Sequence, residues 1–325
     1  MNSNRIDFVD TAKGLGILLV VWGHSSHILF NEIYAFHMPL FFFIAGFFLK
    51  PTTTLENFAI KKTKTLILPY IIFYTFTLLF YTVLLLLTNR ACPISVETLI
   101  DYIPVDNEIL NTPLWFFYAL FWMSIIYFLL RKFIKNNTIL LGVTILLYVI
   151  NAILTMHKIS LPMYLNRSLG EMIYMHLGYL CFNKYELKHY IKHSYVKKRV
   201  LLFTSFILFT ILYNISAPTK ELIIIGTRPL IAISGIMMVV VMSMIINSNK
   251  VLNYLGKHSL VIFALHLPLF EIARPIAKRI FEIDSIGYEC SVFVISLLLS
   301  IGLGEIFMMI FPKYLGKRSL TNQKD

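Results

Sequence analysis

Apolar runs of about twenty residues, separated by short polar stretches, recur along almost the whole chain of 325 residues. A helix needs roughly 20 such residues to cross about 30 Å of hydrocarbon. The runs near 11–30, 34–50, 66–88, 113–131, 139–156, 168–182, 200–215, 222–246, 252–273 and 290–311 reach or approach that length. The pattern predicts an all-α integral membrane protein, a bundle of about ten transmembrane helices. The run at 168–182 is short and polar, and that at 222–246 is interrupted by Arg228-Pro229. No internal repeat, low-complexity tract, phosphate loop or soluble segment interrupts the series. One membrane domain over 1–325 is therefore expected, with a short tail from about 312.

Composition and charge refine this picture. The chain is 58% hydrophobic and 14% charged, with mean hydropathy +0.74, well beyond the roughly 45–50% apolar content of soluble domains. A net charge of +12 invites a nucleic-acid partner, but the placement of the basic residues argues for no nucleic acid. With both termini on one side of the bundle, that side holds 21 of the 29 Lys and Arg and the opposite loops hold 7, Arg228 falling inside a span. Basic residues collect on the cytoplasmic side, so both termini are expected to be cytoplasmic in a plasma (inner) membrane protein. Glu97, Asp101, Asp106 and Glu108 crowd one outer loop. No small-residue cleavage site follows the first run, so that run is expected to stay in the fold. Cys92, Cys181 and Cys290 lack metal-ligand spacing. No metal is expected, and a pairing of the outward Cys92 and Cys290 stays open.

The candidate chemistry starts in the first run, Asp10 to His27, DTAKGLGILLVVWGHSSH. An ionisable group at membrane depth is costly unless paired or facing water, and so marks a site. Lys13 and His24 are eleven residues apart, about three turns plus 20° and a rise of about 16 Å. They share a helix face, and Asp10 falls on the same stripe, placed to neutralise Lys13. His24 is expected about two-thirds of the way across, as a general base or as a buried histidine bonded to a neighbouring helix. His27 reads as interfacial. In AFHMPLFFFIAGF, His37 precedes Met38-Pro39 at the start of the second run, where proline suits a first helical turn. Across a short loop it can approach His24, and Gly46 permits close packing. In KKTKTLILPY, Lys61, Lys62 and Lys64 open the third run, as anchors to membrane lipids or, for Lys61 and Lys64, as a grip on the phosphates of a cytoplasmic donor. Glu171, His176, Arg228 and His266 should face the bundle interior, and Glu171 and Arg228 enter at similar depth and can pair. Trp115 reads as a belt anchor.

Four stretches together resemble the membrane-bound acyltransferase-3 family, and within it the fucose 4-O-acetylase-like sugar O-acetyltransferases: DTAKGLGILLVVWGH, FHMPLFFFIAGF, KKTKTLILPY, and LGKHSL followed by ALH near residue 266. The family pairs a basic residue with a histidine eleven positions later. Many members have arginine at the positions of Lys13, Lys61 and Lys64, and serine at that of Ala45. Lysine keeps the charge but loses the bidentate fork, so a looser grip on phosphate is implied. The resemblance implies transfer of an acetyl group from cytoplasmic acetyl-CoA to a glycan hydroxyl, on a surface polysaccharide or lipid-linked sugar. It places Lys13, Lys61 and Lys64 on the donor. His24 is base or acyl carrier, His37 orients the acceptor, and Glu171 or Arg228 stabilises it, with His266 in support. The rival class is a transporter of a glycan intermediate, since buried His, Arg and Glu also line substrate pathways.

Overall fold

A computed structural model describes residues 7–49, 54–88, 109–184, 194–216 and 221–315, and these are helical, with no strand among them. Cys92 and the acidic loop residues Glu97, Asp101, Asp106 and Glu108 lie outside the described residues; Cys181 and Cys290 are free thiols. Among the described residues, eight segments are long and apolar enough to cross a membrane: Phe30–Phe47, Leu55–Leu87, Thr112–Phe133, Asn137–Met156, Tyr195–Ser216, Ile225–Ile246, Lys250–Lys278 and Ile286–Ile310. Several are scarcely covered by the protein, Asn137–Met156 being only 11% buried. Large apolar side chains such as Leu79, Leu87, Leu298 and Met309 stand exposed. Apolar helices with bare apolar flanks belong in lipid, and the chain is a multi-pass membrane protein.

Two of the ten expected spans are not among those eight, and both carry polar groups. The first helix, α1 (Asp7–Ser25), holds Asp10, Lys13 and His24. The segment 168–182 is broken at Glu171 into α8 (Leu165–Gly170) and α9 (Met172–Tyr179), followed by a π-turn at Leu180–Lys184. Boundaries shift for local reasons. The first run was expected to continue to residue 30, but α1 stops at Ser25; residues 26–28 are non-helical, and Leu29, in a left-handed backbone (φ 58°), precedes a separate short helix, α2 (Phe30–Tyr34). His24 therefore sits in the last turn of its helix rather than two-thirds along a longer one. Then come α3 (His37–Phe47) and α4 (Leu55–Lys62), which passes through a π-turn (Thr63–Ile67) into α5 (Leu68–Leu87), starting eleven residues before the expected 66. The rest are α6 (Trp115–Phe133), α7 (Asn137–Met156), α10 (Tyr195–Ser216), α11 (Glu221–Ile246), α12 (Lys250–Lys278) and α13 (Ile286–Ile310).

The chain divides into two compact units. The first comprises Met1–Thr52, Tyr127–Ile159 and Asn166–Ser259. Lipid is as apolar as a leucine side chain, so its helices gain by close approach at small residues. A Cβ on Gly14 would strike the Leu252 carbonyl, and one on Gly256 the Asp10 carbonyl, which locks α1 against the start of α12. Gly46 and Gly178 do the same for α3 and α9, each facing the other helix's backbone at Met175 and Phe43. Polar bonds add register. Thr11 donates to Asn253 Oδ1 (2.7 Å), and the buried Lys198 Nζ donates to the Met244 carbonyl in the last turn of α11 (3.1 Å). Proline 229 lies inside α11 and cannot donate to the carbonyl four residues earlier. That carbonyl, Ile225, accepts from the Tyr148 hydroxyl instead (2.7 Å).

The second unit comprises Thr53–Ile126, Ser160–Leu165 and Leu260–Asp325. Aromatic contacts tie it together: Tyr70 meets Tyr118 edge-on at 4.7 Å between centroids, Phe116 meets Phe263 at 5.3 Å, and Phe73 meets Phe307 at 5.5 Å. The proline device recurs here. Pro268 inside α12 leaves the Ala264 carbonyl without its helical donor, and the fully buried Asn111 amide supplies one at 2.9 Å.

Candidate active site

In the first unit, α1 and α3 run antiparallel, and the polar stripe of α1 faces α3 at both of its ends. Lys13, half-buried, sets its Nζ 5.0 Å from the ring centroid of Phe48, the residue that caps α3. Eleven residues on, His24 comes 6.5 Å, centroid to centroid and edge-on, from His37 at the start of α3. The helical register read from the sequence thus places both groups against one neighbouring helix. Asp10 is buried one turn before Lys13.

A third ring completes the cluster. The Tyr34 hydroxyl is hydrogen-bonded to His24 Nδ1, and its ring packs edge-on against His37 at 4.8 Å. His37 is almost fully buried, and its Nδ1 lies 2.8 Å from the Ile33 carbonyl. A carbonyl only accepts, so Nδ1 carries the proton and the ring's Nε2 is the nitrogen with a lone pair. His24 is half-buried and Tyr34 exposed, so the cluster is reachable from outside the packed interior. Two imidazoles and a phenol in contact can accept, hold and return a proton. Tyr34 was missed in the sequence, although NEIYAFH sets it three residues before His37. That offset reads as relevant only once the short helix α2 is known to exist.

The other expected residues separate into distinct places. Glu171 and Arg228 line one cavity of about 490 Å³ in the first unit, with Arg167 and Tyr148, and both arginine charges act on the carboxyl group. His176 is bound on both sides, Nδ1 to the Tyr127 hydroxyl (2.8 Å) and Nε2 to the Asn137 carbonyl (3.2 Å), and Arg131 closes this cluster by donating to Asn137 Oδ1 (2.7 Å) and to Tyr179 (3.1 Å). Those bonds make it a helix-joining group. His266 lies in the second unit, fully buried in α12 between Phe263 and Phe270, with Nδ1 on the Phe263 carbonyl of its own helix at 2.7 Å. Lys61 and Lys64 are exposed in the second unit, where α4 ends and the π-turn begins, while Lys62 lies 5.4 Å over the Phe58 ring. The π-turn widens the helix between Lys61 and Lys64 and Pro69, a distortion common near functional groups.

Comparison with known proteins places these features. The chain matches the family model of the acyltransferase-3 acyltransferase domain over residues 6–305, which takes in α1 through nearly all of α13. No curated protein matches it, and no solved structure does. With nearly the whole chain covered and a helical membrane architecture around it, the protein is a membrane acyltransferase belonging to the acyltransferase-3 family.

Proposed function

We propose that the chain transfers an acetyl group from cytoplasmic acetyl-CoA to a hydroxyl of a surface polysaccharide or lipid-linked sugar. In this reading it is a fucose 4-O-acetylase-like O-acetyltransferase of the plasma membrane, with both termini cytoplasmic. The observation that carries the reading is the contact of His24 with Tyr34 and His37 at one end of the helix that also bears Lys13.

In the mechanism, His24 Nε2 takes the proton of the acceptor hydroxyl as its oxygen attacks the thioester carbonyl. The C–S bond then breaks, the ester forms, and CoA leaves as a thiolate that recovers the proton from the imidazolium. Positioned proton transfer of this kind contributes about 10²–10⁴-fold. The same nitrogen can alternatively carry the acetyl group before passing it on. His37, held by Ile33, orients the acceptor. Lys13, Lys61 and Lys64 meet the donor's phosphates as point charges.

Release of free CoA thiol by purified protein, given acetyl-CoA and a panel of lipid-linked sugars, tests this. Acceptor-dependent release that disappears in a folded His24→Ala variant is expected. Full activity of that variant would remove His24 from the chemistry, and absence of both release and acetyl-CoA binding would favour a transporter of a glycan intermediate.

A further inference from the structure

The cavity of about 490 Å³ contains none of the His24 cluster, and its volume falls within the range of about 300–1,000 Å³ typical of small-molecule sites. It is formed by α7, the α8–α9 break and α11. Its interior and its rim differ in chemistry. Inside, Glu171 Oε2 and Asn151 Oδ1 are shielded from solvent and have no hydrogen-bond partner. Gly170 makes room for that amide, since a Cβ there would strike it. The Tyr148 hydroxyl hydrogen is committed to the Ile225 carbonyl, so toward the cavity this residue offers an acceptor. Buried acceptors without donors carry a cost that a ligand's O–H groups can remove. At the rim, Lys158, Arg167 and Arg228 are exposed cations, against the single carboxylate of Glu171.

We propose that this cavity holds one saccharide ring, its hydroxyls donating to Glu171, Asn151 and Tyr148, with an anionic group of that saccharide, uronate or phosphate, on the cationic rim. That the saccharide is the acyl acceptor rests on the transfer reading above; that the cavity takes an acidic saccharide rests on the cavity alone. The ring's depth and the rim's charge give the site a reason to prefer acidic or phosphate-linked sugars.

Binding is measured by saturation-transfer NMR on the full-length protein in detergent, without acyl donor, using methyl glucoside, methyl glucuronide and glucose 1-phosphate. At low salt at least one acidic sugar is expected to bind about fivefold tighter than methyl glucoside, and which one does so separates uronate from phosphate recognition. Glu171→Gln, which preserves shape, is expected to weaken binding about tenfold. Ala152→Phe, which fills the cavity and leaves its charges in place, is expected to abolish it. The proposal is overturned if neither acidic sugar binds, if methyl glucoside binds as tightly as both, or if Glu171→Gln binds undiminished. Saccharide binding without CoA release would remove the transfer reading and keep the cavity's assignment; CoA release without saccharide binding would do the reverse.

Discussion

Tyr34 holds Nδ1 of His24, so proton chemistry at that imidazole goes through Nε2. For Nε2 to be the base, Nδ1 must carry its hydrogen and donate to the phenol oxygen. Losing that bond frees the tautomer and the ring orientation together. Tyr34→Phe should therefore lower kcat about tenfold, about 1.4 kcal/mol of barrier, while the KM for acetyl-CoA stays nearly constant; steady-state kinetics separate the two. At Lys13 the question is charge against shape. Its ammonium lies over the Phe48 ring, a contact that arginine can also make. Lys13→Arg should retain more activity than Lys13→Ala, and equal loss in both would make the position one of packing. The Lys13–His24 stripe was legible in the sequence because helical spacing alone sets it. The partners of that stripe were not, since Tyr34 reaches His24 only through a turn that depends on one left-handed residue, Leu29.

Among the elements, α11 and α12 show how a proline can sit inside an apolar helix. Pro229 in α11 and Pro268 in α12 each leave one carbonyl without its backbone donor, and each carbonyl finds a side chain from a distant part of the chain, Tyr148 for Ile225 and Asn111 for Ala264. In lipid such a group has no water to turn to. Tyr148→Phe should lower stability by about 1–3 kcal/mol, measured by thermal unfolding in detergent. Combined with Pro229→Ala, which restores a backbone N–H for Ile225, the same change should cost much less. A cost that persists in the double variant would place the role of Tyr148 elsewhere. Pro229 was visible as an interruption of the apolar pattern, but the donors to the Ile225 and Ala264 carbonyls lie 77 and 153 residues from the groups they serve. No local signal reaches that far. The glycines follow the same logic: Gly46 stood out by its place in an apolar run, whereas its reciprocal partner Gly178 emerges only from the crossing of α3 and α9.

Across the whole molecule, the cationic residues Lys61 and Lys64 are exposed where α4 meets its π-turn, the arrangement expected of groups that meet a soluble, multiply charged donor. Replacing both with alanine should raise the KM for acetyl-CoA several-fold and flatten its dependence on salt, because exposed charge pairs are screened over about 10 Å at 0.1 M. An unchanged salt dependence would leave them as membrane anchors. The family match over residues 6–305 takes in most of both units.

By itself the sequence determined the membrane class, the helical fold, most of the spans and the family motifs, because each depends on composition or on periodicity within one segment. It also brought Lys13 and His24 to one face, since the α-helix has a fixed pitch. Only the tertiary structure decided that α1 stops at Ser25 and that the 168–182 segment breaks at Glu171. It alone distinguished His176, buried with both ring nitrogens bonded inside a helix-joining cluster, from His24, which is half-buried and meets His37 and the exposed Tyr34. It alone brought Asn151 and Tyr148 beside Glu171 and Arg228 in one cavity. Those outcomes depend on which groups from distant segments meet, and in a bundle that is set by where backbones can approach and where orphaned polar groups find partners.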